Sequence, residues 1–365
     1  MKNNMELKDL KLFVRMRNKN VGGRENLTLV TPNGLFQSIG GSFSKADCVG
    51  LAMLFAKTGL TPKRKAAVLT NDLAKVVGRL RKANKNIGIE LTDNGDVVLA
   101  ADNFREEISA VDDNSPYPNA AYFDTSIYES WGTIQNFGSV LKAREFIQDV
   151  SCSGYSYRHG LGLQCVLLRG DHIFSANNVV AYRAPLSGTR KDLPDIFLNG
   201  ETLKFFSPAL KNERINISLS DRFILLSEPE SNVRVALPTV DASFPNMNFM
   251  DPDYNNVCVM PTEMFRNGIV ELLFEDMCYP DSVALITPAK IRTKNKIHKW
   301  PQEVHTQLRG ICVDLALLEK VFDSIDTDTI SFQSGYDNQP LKFTAIGKKE
   351  DFMVMPIKRS SIDFS

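Results

Sequence analysis

The residues with the plainest chemical potential are cations. Residues 1 to 24 hold seven (Lys2, Lys8, Lys11, Arg15, Arg17, Lys19, Arg24) against Glu6 and Asp9. Residues 57 to 85 hold nine (Lys57, Lys63, Arg64, Lys65, Lys75, Arg79, Arg81, Lys82, Lys85) against Asp72 alone. The whole chain is formally neutral, so the remainder is net acidic. A basic sector inside a neutral total suits an anionic partner met on one surface. The spacing narrows the chemistry. Lys8, Lys11, Arg15 and Lys19 share one face of a helix, and Leu7, Leu10 and Val14 occupy another. Lys75, Arg79 and Lys82 repeat the pattern, with Leu73, Val76, Val77 and Leu80 as the apolar stripe. Cations displayed this way offer that partner a charged stripe on the side of each helix away from its apolar face. Elsewhere the cations are diluted: Lys142, Arg144, Lys204 and Arg266 stand among Glu145, Glu201 and Glu263.

No catalytic constellation competes with this reading. The sequence has no Walker A, GxSxG or HExxH motif, and Gly22-Gly23 and Gly160-Leu-Gly162 are too short to cradle a phosphate. Tyr157-Arg158-His159 has no nucleophile or carboxylate spaced beside it. The six cysteines (Cys48, Cys152, Cys165, Cys258, Cys278, Cys312) include no CxxC pair and read as reduced core residues. His159, His172, His298 and His305 lack metal-ligand spacing. The expectation is a non-enzyme with no cofactor and no metal. Apolar residues make up 43% and charged residues 24%, as in soluble globular proteins. No apolar run approaches the roughly 18 to 20 residues that span a bilayer, and Met1–Leu12 lacks the apolar core of a signal peptide. A cytoplasmic protein without membrane association is expected, in a bacterial cytoplasm or, for a viral chain, that of its host.

The elements that must position the cations repeat. Segments 73–103, 203–232 and 317–347 each read as a short amphipathic helix, an alternating strand, a polar turn and a second strand. Their strand starts, Ile87-Gly-Ile, Ile215-Asn-Ile and Ile330-Ser-Phe, fall in register. Val111-Asp with Tyr117-Pro118-Asn119 and Val240-Asp with Phe244-Pro245-Asn246 close two of the units, and their prolines lie 127 residues apart. A period of that length is a domain repeat. Each unit also has a first half. Leu7–Arg17 is a helix, followed by a hairpin over 26–40 turning at Asn33-Gly34. Ser139–Val150 is a helix with Val140, Ala143, Ile147 and Val150 on one face, followed by a hairpin turning at Gly170-Asp171. Thr262–Asp276 is a helix, and the Lys- and Pro-rich stretch Tyr279–Arg309 resists assignment to strands. The predicted class is α+β, with three similar domains (1–122, 123–251 and 252–365) that carry helices on one face of antiparallel sheets.

With these residues in view the chain resembles the bacterial β sliding clamp family in a divergent form, one that a phage-encoded replication system would explain. Val240-Asp-Ala-Ser-Phe-Pro-Asn246 is similar to the family's hydrophobic-Asp-Gly-x-Phe-Pro-Asp ending of the middle domain, and Val354-Met-Pro-Ile-Lys358 to its closing Val-Met-Pro-Met/Val-Arg. Gly22-Gly-Arg-Glu with Leu27 and Asn33-Gly34 fits its first domain. The resemblance implies a DNA-clamp fold that closes as a head-to-tail homodimer ring, sheets outside and helices lining the hole. It implies a processivity factor for DNA replication that encircles double-stranded DNA and binds DNA polymerase and clamp loader through short peptide motifs. DNA contact would fall to Lys8, Lys11, Arg15, Arg24, Lys75, Arg79, Arg81, Lys82, Lys85, Lys142, Lys204 and Arg266. The partner-peptide pocket would be walled by Leu163, Ala176, Val179, Ala181, Pro245, Phe249, Met250, Met355, Pro356 and Ile357. The sequence departs from the family at this wall: the usual Thr-Asp-Gly-His-Arg-Leu reads Ala176-Asn-Asn-Val-Val-Ala181, and Phe249-Met250 replaces Arg-Val. An apolar anchor with a different partner preference is expected. The chain also continues past the family's usual end, and Ser361-Ile-Asp-Phe364 is similar to the clamp-binding peptides themselves. Two other classes compete: a structural or assembly protein built from repeated α+β domains, which needs no basic helix stripe, and an enzyme with a novel site between domains.

Overall fold

The computed structural model describes residues 5–16, 27–39, 50–56, 58, 65–81, 86–111, 125–148, 161–206, 210, 213–252, 254, 257–273, 282–287, 289–300, 310–335 and 339–357. Arg24, Lys82, Lys85, Tyr157–His159 and the Ser361–Phe364 segment lie outside them.

Among the described residues one series of elements runs three times. The first run is β1 (Met5–Glu6), α1 (Leu7–Arg15), β2 (Leu27–Thr31), β3 (Gly34–Ile39), β4 (Gly50–Phe55), β5 (Ala66–Leu69), α2 (Thr70–Arg79), β6 (Asn86–Leu91), β7 (Val97–Ala101) and β8 (Phe104–Ile108). The second is β9 (Glu129–Ile134), α3 (Phe137–Ala143), β10 (Cys165–Arg169), β11 (His172–Ala176), β12 (Val180–Pro185), β13 (Ile196–Asn199), α4 (Gly200–Phe206), β14 (Ile215–Leu219), β15 (Phe223–Ser227) and β16 (Val233–Pro238). The third is β17 (Val257–Pro261), α5 (Thr262–Leu272), β18 (Val283–Ile286), β19 (Lys290–Arg292), β20 (Ile297–Lys299), β21 (Ile311–Asp314), α6 (Leu315–Ser324), β22 (Thr329–Gln333), β23 (Leu341–Ala345) and β24 (Glu350–Val354).

Several boundaries differ from the expectations for local reasons. The first hairpin turns at Pro32-Asn33, because Gly34, at φ +140°, already pairs with Thr31 and Phe55. The helix predicted to Val150 ends at Ala143 and tightens into a 3-10 turn over Arg144–Phe146. That turn drives Phe146 onto the rings of Tyr182 and Phe352, at centroid distances of 5.6 and 5.5 Å. The Lys-rich stretch near 290 does form strands: β19 and β20 are three residues each and close through Thr293 N–H donating to Lys296 O at 2.9 Å.

Packing divides the chain into two compact units, offset by half a series from the sequence repeat: 1–141 with 186–241, and 142–185 with 242–365. The first unit holds an antiparallel sheet ordered β5-β2-β3-β4-β16-β15-β14-β9 and a smaller one ordered β1-β6-β7-β8. The second holds β10-β11-β12-β24-β23-β22-β17 in one sheet and β20-β19-β18-β21 in another. Each large sheet therefore joins a strand trio from the first half of one series to a trio from a second half, at β4·β16 (Val233↔Leu54) and at β12·β24 (Val180↔Val354). The trios β6-β7-β8 and β18-β19-β20 have no such join among the described residues.

Helices cover one face of each sheet. In the first unit α1 and α2 lie side by side, burying Leu7, Leu10, Phe13 and Val14 from one and Leu73, Val76 and Val77 from the other. Gln37 Nε2 donates to Phe13 O at 2.7 Å, which marks the helix face of β3. In the second unit α5 and α6 pair in the same way around stacked rings of Phe265 and Phe322, 4.9 Å apart.

Candidate nucleic-acid interface and docking surface

α1 and α2 form because each alternates an apolar stripe with charge at helical spacing, with an acid in the first turn (Asp9, Asp72) and a base in the last (Arg15, Arg79) to complement the helix dipole. The structure displays Lys8, Arg15, Lys75, Arg79 and Arg81 at the surface of the first unit. Most already have a carboxylate neighbour: Lys8 with Glu6 at 3.1 Å, Lys75 with Asp72 at 2.8 Å, and Arg79 with Glu106. Such exposed pairs are worth little in water, so the cations can exchange them for another anion. Glu6 also holds the fully exposed Lys8 ammonium above its ordinary pKa.

Lys8, Lys11 and Arg15 open onto a cleft of about 720 Å³ whose far side carries Arg214 with Glu213 and Glu230. Arg214 is a cation that helix spacing could not nominate, because it precedes β14. The cleft floor holds Asp9, which is buried and accepts from Ser231 Oγ (3.1 Å) and from Asn232 N (3.3 Å) and Nδ2 (3.0 Å). That carboxylate fastens α1 to the turn before β16. Its one sequence signal is a lone acid four residues from the buried Phe13.

Three nominated cations are used inside the fold. Lys11 Nζ donates to Leu80 O at 3.3 Å, at the C-terminus of α2. Arg266 occupies the matching fifth position of α5, and its Nη2 donates to Phe322 O and Ile325 O, both at 2.9 Å, at the C-terminus of α6. Each supplies a cation to the orphan carbonyls of its neighbour helix. Lys142 donates at 2.7 Å to Glu350, which is buried and also accepts from Tyr182 Oη at 3.1 Å. Lys204 is exposed on α4.

The apolar wall nominated from the resemblance falls wholly within the second unit. Asn177 Oδ1 accepts from Val179 N (2.9 Å) and Val180 N (2.7 Å), a side-chain turn that projects Val179 outward. Met355 N–H donates to Val179 O at 2.8 Å, so the two stand together at the β12·β24 join. Phe249 and Met250 sit on a 3-10 turn over Met247–Met250. Val179, Phe249 and Met355 are 44%, 40% and 43% exposed, and these three present apolar surface to solvent. Leu163, Ala176, Ala181 and Met250 are buried. A side chain at Gly162 would collide with the Ser243 carbonyl, so the backbone before Leu163 passes close to the segment that leads to Pro245. Pro245 and Pro356 are half-buried, and Ile357 packs on Val283, Leu285 and Cys312 while its N–H donates to Cys312 O at 2.8 Å.

The 3-10 turn is anchored by charge. Arg183 on β12 grips Asp251 through Nη1 (2.7 Å) and Nη2 (2.6 Å), and Asp351 on β24 through Nε (3.0 Å) and Nη2 (2.5 Å). Lys342 pairs with Asp351 at 3.3 Å and donates to Met250 O at 3.0 Å. Donating to the Asp251 carboxylate raises the Arg183 pKa, and accepting from Arg183 lowers that of Asp251. Among the described residues no group of three or more His, Cys, Asp or Glu could hold a metal ion, and no helix is long and apolar enough to cross a membrane.

No protein-family model matches the chain. No curated protein sequence matches it either. Solved structures do. The DNA polymerase sliding clamp from Pseudomonas aeruginosa, solved with ligand, matches with a TM-score of 0.71 at 13% identity, covering 97% of this chain and 99% of that one. The clamp from Caulobacter crescentus gives 0.71 at 14%, covering 98% and 99%. The clamp from Bacillus subtilis gives 0.70 at 12%, again covering 98% and 99%. Sequence identity this low speaks to fold alone: the chain has the α+β fold of bacterial sliding clamps along nearly its full length.

Proposed function

We propose that the chain is a sliding clamp: a non-catalytic ring of two copies that encircles duplex DNA and tethers a DNA polymerase through a short peptide. The observation that carries this reading is the pair of unjoined strand trios. Inside the chain a first-half trio meets a second-half trio at β4·β16 and again at β12·β24. The same rule applied to a second copy sets β20 of one chain beside β8 of the next, and two such joins close a ring of three domains per copy, bounded near residues 122 and 251. The chemistry of the two edges favours the join. β8 brings the exposed Glu107 and β20 the exposed Lys299, and Ile297 on β20 is 51% exposed, an apolar surface that pairing would cover.

Within that ring the α1 and α2 cations face phosphates. Their carboxylate partners keep each contact weak, which suits a sleeve that slides and does not grip. Val179, Phe249 and Met355 receive the apolar side chains of the polymerase and loader peptides. Electron microscopy of the purified protein tests the reading, together with retention on circular DNA. The expected result is a six-lobed annulus that stays on nicked circular DNA after loading and leaves when the circle is cut. A monodisperse monomer, or equal retention on linear and circular DNA, refutes it.

A further inference from the structure

We propose that Arg183, acting through Asp251, positions the turn that bears Phe249 and thereby sets how tightly the apolar surface holds a partner peptide. This rests on the docking reading above and deepens it: the side chains that touch peptide are apolar, and the residue that decides their geometry is an arginine outside the apolar wall.

The 3-10 turn over Met247–Met250 has little to hold itself. Its internal polar bonds are Asn246 Oδ1 accepting from Asn248 N at 3.0 Å and Asp251 N–H donating to Asn248 O at 3.2 Å. A turn this short has poor intrinsic hydrogen-bond geometry and takes its shape from its anchors. Three anchors are visible. Met250 is fully buried, its carbonyl accepts from Lys342, and the Asp251 carboxylate lies in the Arg183 fork.

The platform under the fork is rigid because every group in it has a strand address. Arg183 is on β12, Lys342 and Thr344 on β23, and Asp351 on β24. Thr344 Oγ1 donates to Asp351 Oδ1 at 2.7 Å, Lys342 pairs with Asp351, and Arg183 closes the set from the other side. The Arg183 side chain is 14% exposed and that of Asp251 66%, so the fork is a half-sheltered, bidentate ion pair that fixes direction as well as distance. Phe249, two residues before Asp251 and exposed, has no packing of its own comparable to that of Met250. Its place follows from where Asp251 is held. With the fork open, the turn must be ordered at the moment of binding, and affinity falls.

The test is fluorescence anisotropy with a labelled synthetic nonapeptide carrying leucine and phenylalanine two residues apart between serines. It is run on the whole protein and on Asp251→Ala, Asp251→Asn, Asp251→Glu, Phe249→Ala, Met355→Ala and the Phe249→Ala/Asp251→Ala double variant. Asp251→Ala and Asp251→Asn are expected to weaken binding about tenfold, the scale of ordering one or two side chains and a turn. Asp251→Glu, which keeps the carboxylate, should restore most of it. In the Phe249→Ala background the Asp251 change should cost nothing further, because its effect passes through Phe249. A merely structural role would lower the melting temperature and add in full to Phe249→Ala. Unaltered binding by Asp251→Ala, or full additivity, overturns the inference and leaves the docking reading standing. Failure of the unaltered protein to bind, or equal binding by Met355→Ala, overturns the docking reading and this inference with it.

Discussion

Replacing Glu107 with proline should weaken the proposed ring while leaving each protomer folded. In an antiparallel ladder, hydrogen-bonded and non-hydrogen-bonded pairs alternate. β7 and β8 pair Ala101↔Phe104, Ala100↔Arg105, Leu99↔Glu106, Val98↔Glu107 and Val97↔Ile108. The Ala101↔Phe104 pair closes a two-residue turn and is therefore hydrogen-bonded. The N–H groups of Arg105 and Glu107 consequently point to the free edge. On β20 the bonds from Thr293 N to Lys296 O and from Trp300 N to Ala289 O fix the opposite phase, so Ile297 and Lys299 face outward. A proline at 107 removes one outward donor, breaks no bond to β7, and asks of Glu106 only the extended backbone it already has. Each join then forfeits about 1 kcal/mol net for the missing hydrogen bond. Two joins per ring make about 2 kcal/mol, roughly a thirtyfold rise in the dimer dissociation constant, before any steric cost of the ring. Sedimentation equilibrium across a dilution series measures it, with the thermal melt at low concentration as the control on the fold. An unchanged dimer constant in a folded Glu107→Pro protein would refute the β8·β20 join, however ring-like the particles.

Three other changes probe separate parts of the argument. Lys75→Gln with Arg79→Gln should shorten retention on nicked circular DNA and flatten the log-log salt dependence by about 0.9 for each phosphate no longer neutralised, read by surface-coupled retention across a salt series. Arg266→Met should remove the cap on the α6 carbonyls, cost roughly 1 to 2 kcal/mol in urea unfolding, and leave DNA retention unchanged. The Asp251 carboxylate faces Arg183, Lys342 and His172, with Asp351 beyond Arg183, and its pKa is lowered chiefly by Arg183. Its contribution is therefore present above the unfolded carboxyl value near ~3.9 and is lost as pH falls further. Thermal melts taken from about pH 6 down to about pH 3 should fall less steeply for Asp251→Asn than for the unaltered protein.

Periodicity makes α1 and α2 legible, since their apolar and basic faces alternate over uninterrupted helical spacing. It does not reveal the carbonyls that Lys11 and Arg266 donate to, because a cation facing an adjacent helix C-terminus and one facing solvent have the same sequence signature. What separates them is the partner helix, and only α1·α2 and α5·α6 packing supplies it. The strands β19 and β20 are illegible for another reason. Lys290-Ile-Arg292 and Ile297-His-Lys299 each hold one alternation, too short to stand out from the Lys and Pro around them. Their reality rests on pairing with β18, which is apolar throughout. Among the candidate docking residues the exposed Val179 and Met355 come from resemblance, whereas the Arg183 fork is invisible in sequence, since Asp251 and Asp351 lie far from it along the chain.

The offset between repeat and packing unit bears on how such a chain could close into a ring at all. A domain that buried both of its strand trios against each other would be complete alone and would have no edge to offer. Here the trios β2-β3-β4 and β10-β11-β12 are each completed by a trio from the neighbouring series, and the rule that joins series one to two and two to three leaves, among the described residues, one unfilled edge in the first series and one in the third. Those edges are of opposite kind, a second-half trio at β8 and a first-half trio at β20, so a chain cannot pair like with like by this rule. Joining them head to tail is heterologous, and a heterologous contact either closes or runs on as a filament. Closure after two copies demands that a two-fold rotation relate them, so that both β8·β20 joins form at once. A β8·β20 join shifted by a single residue would put the wrong strand faces together.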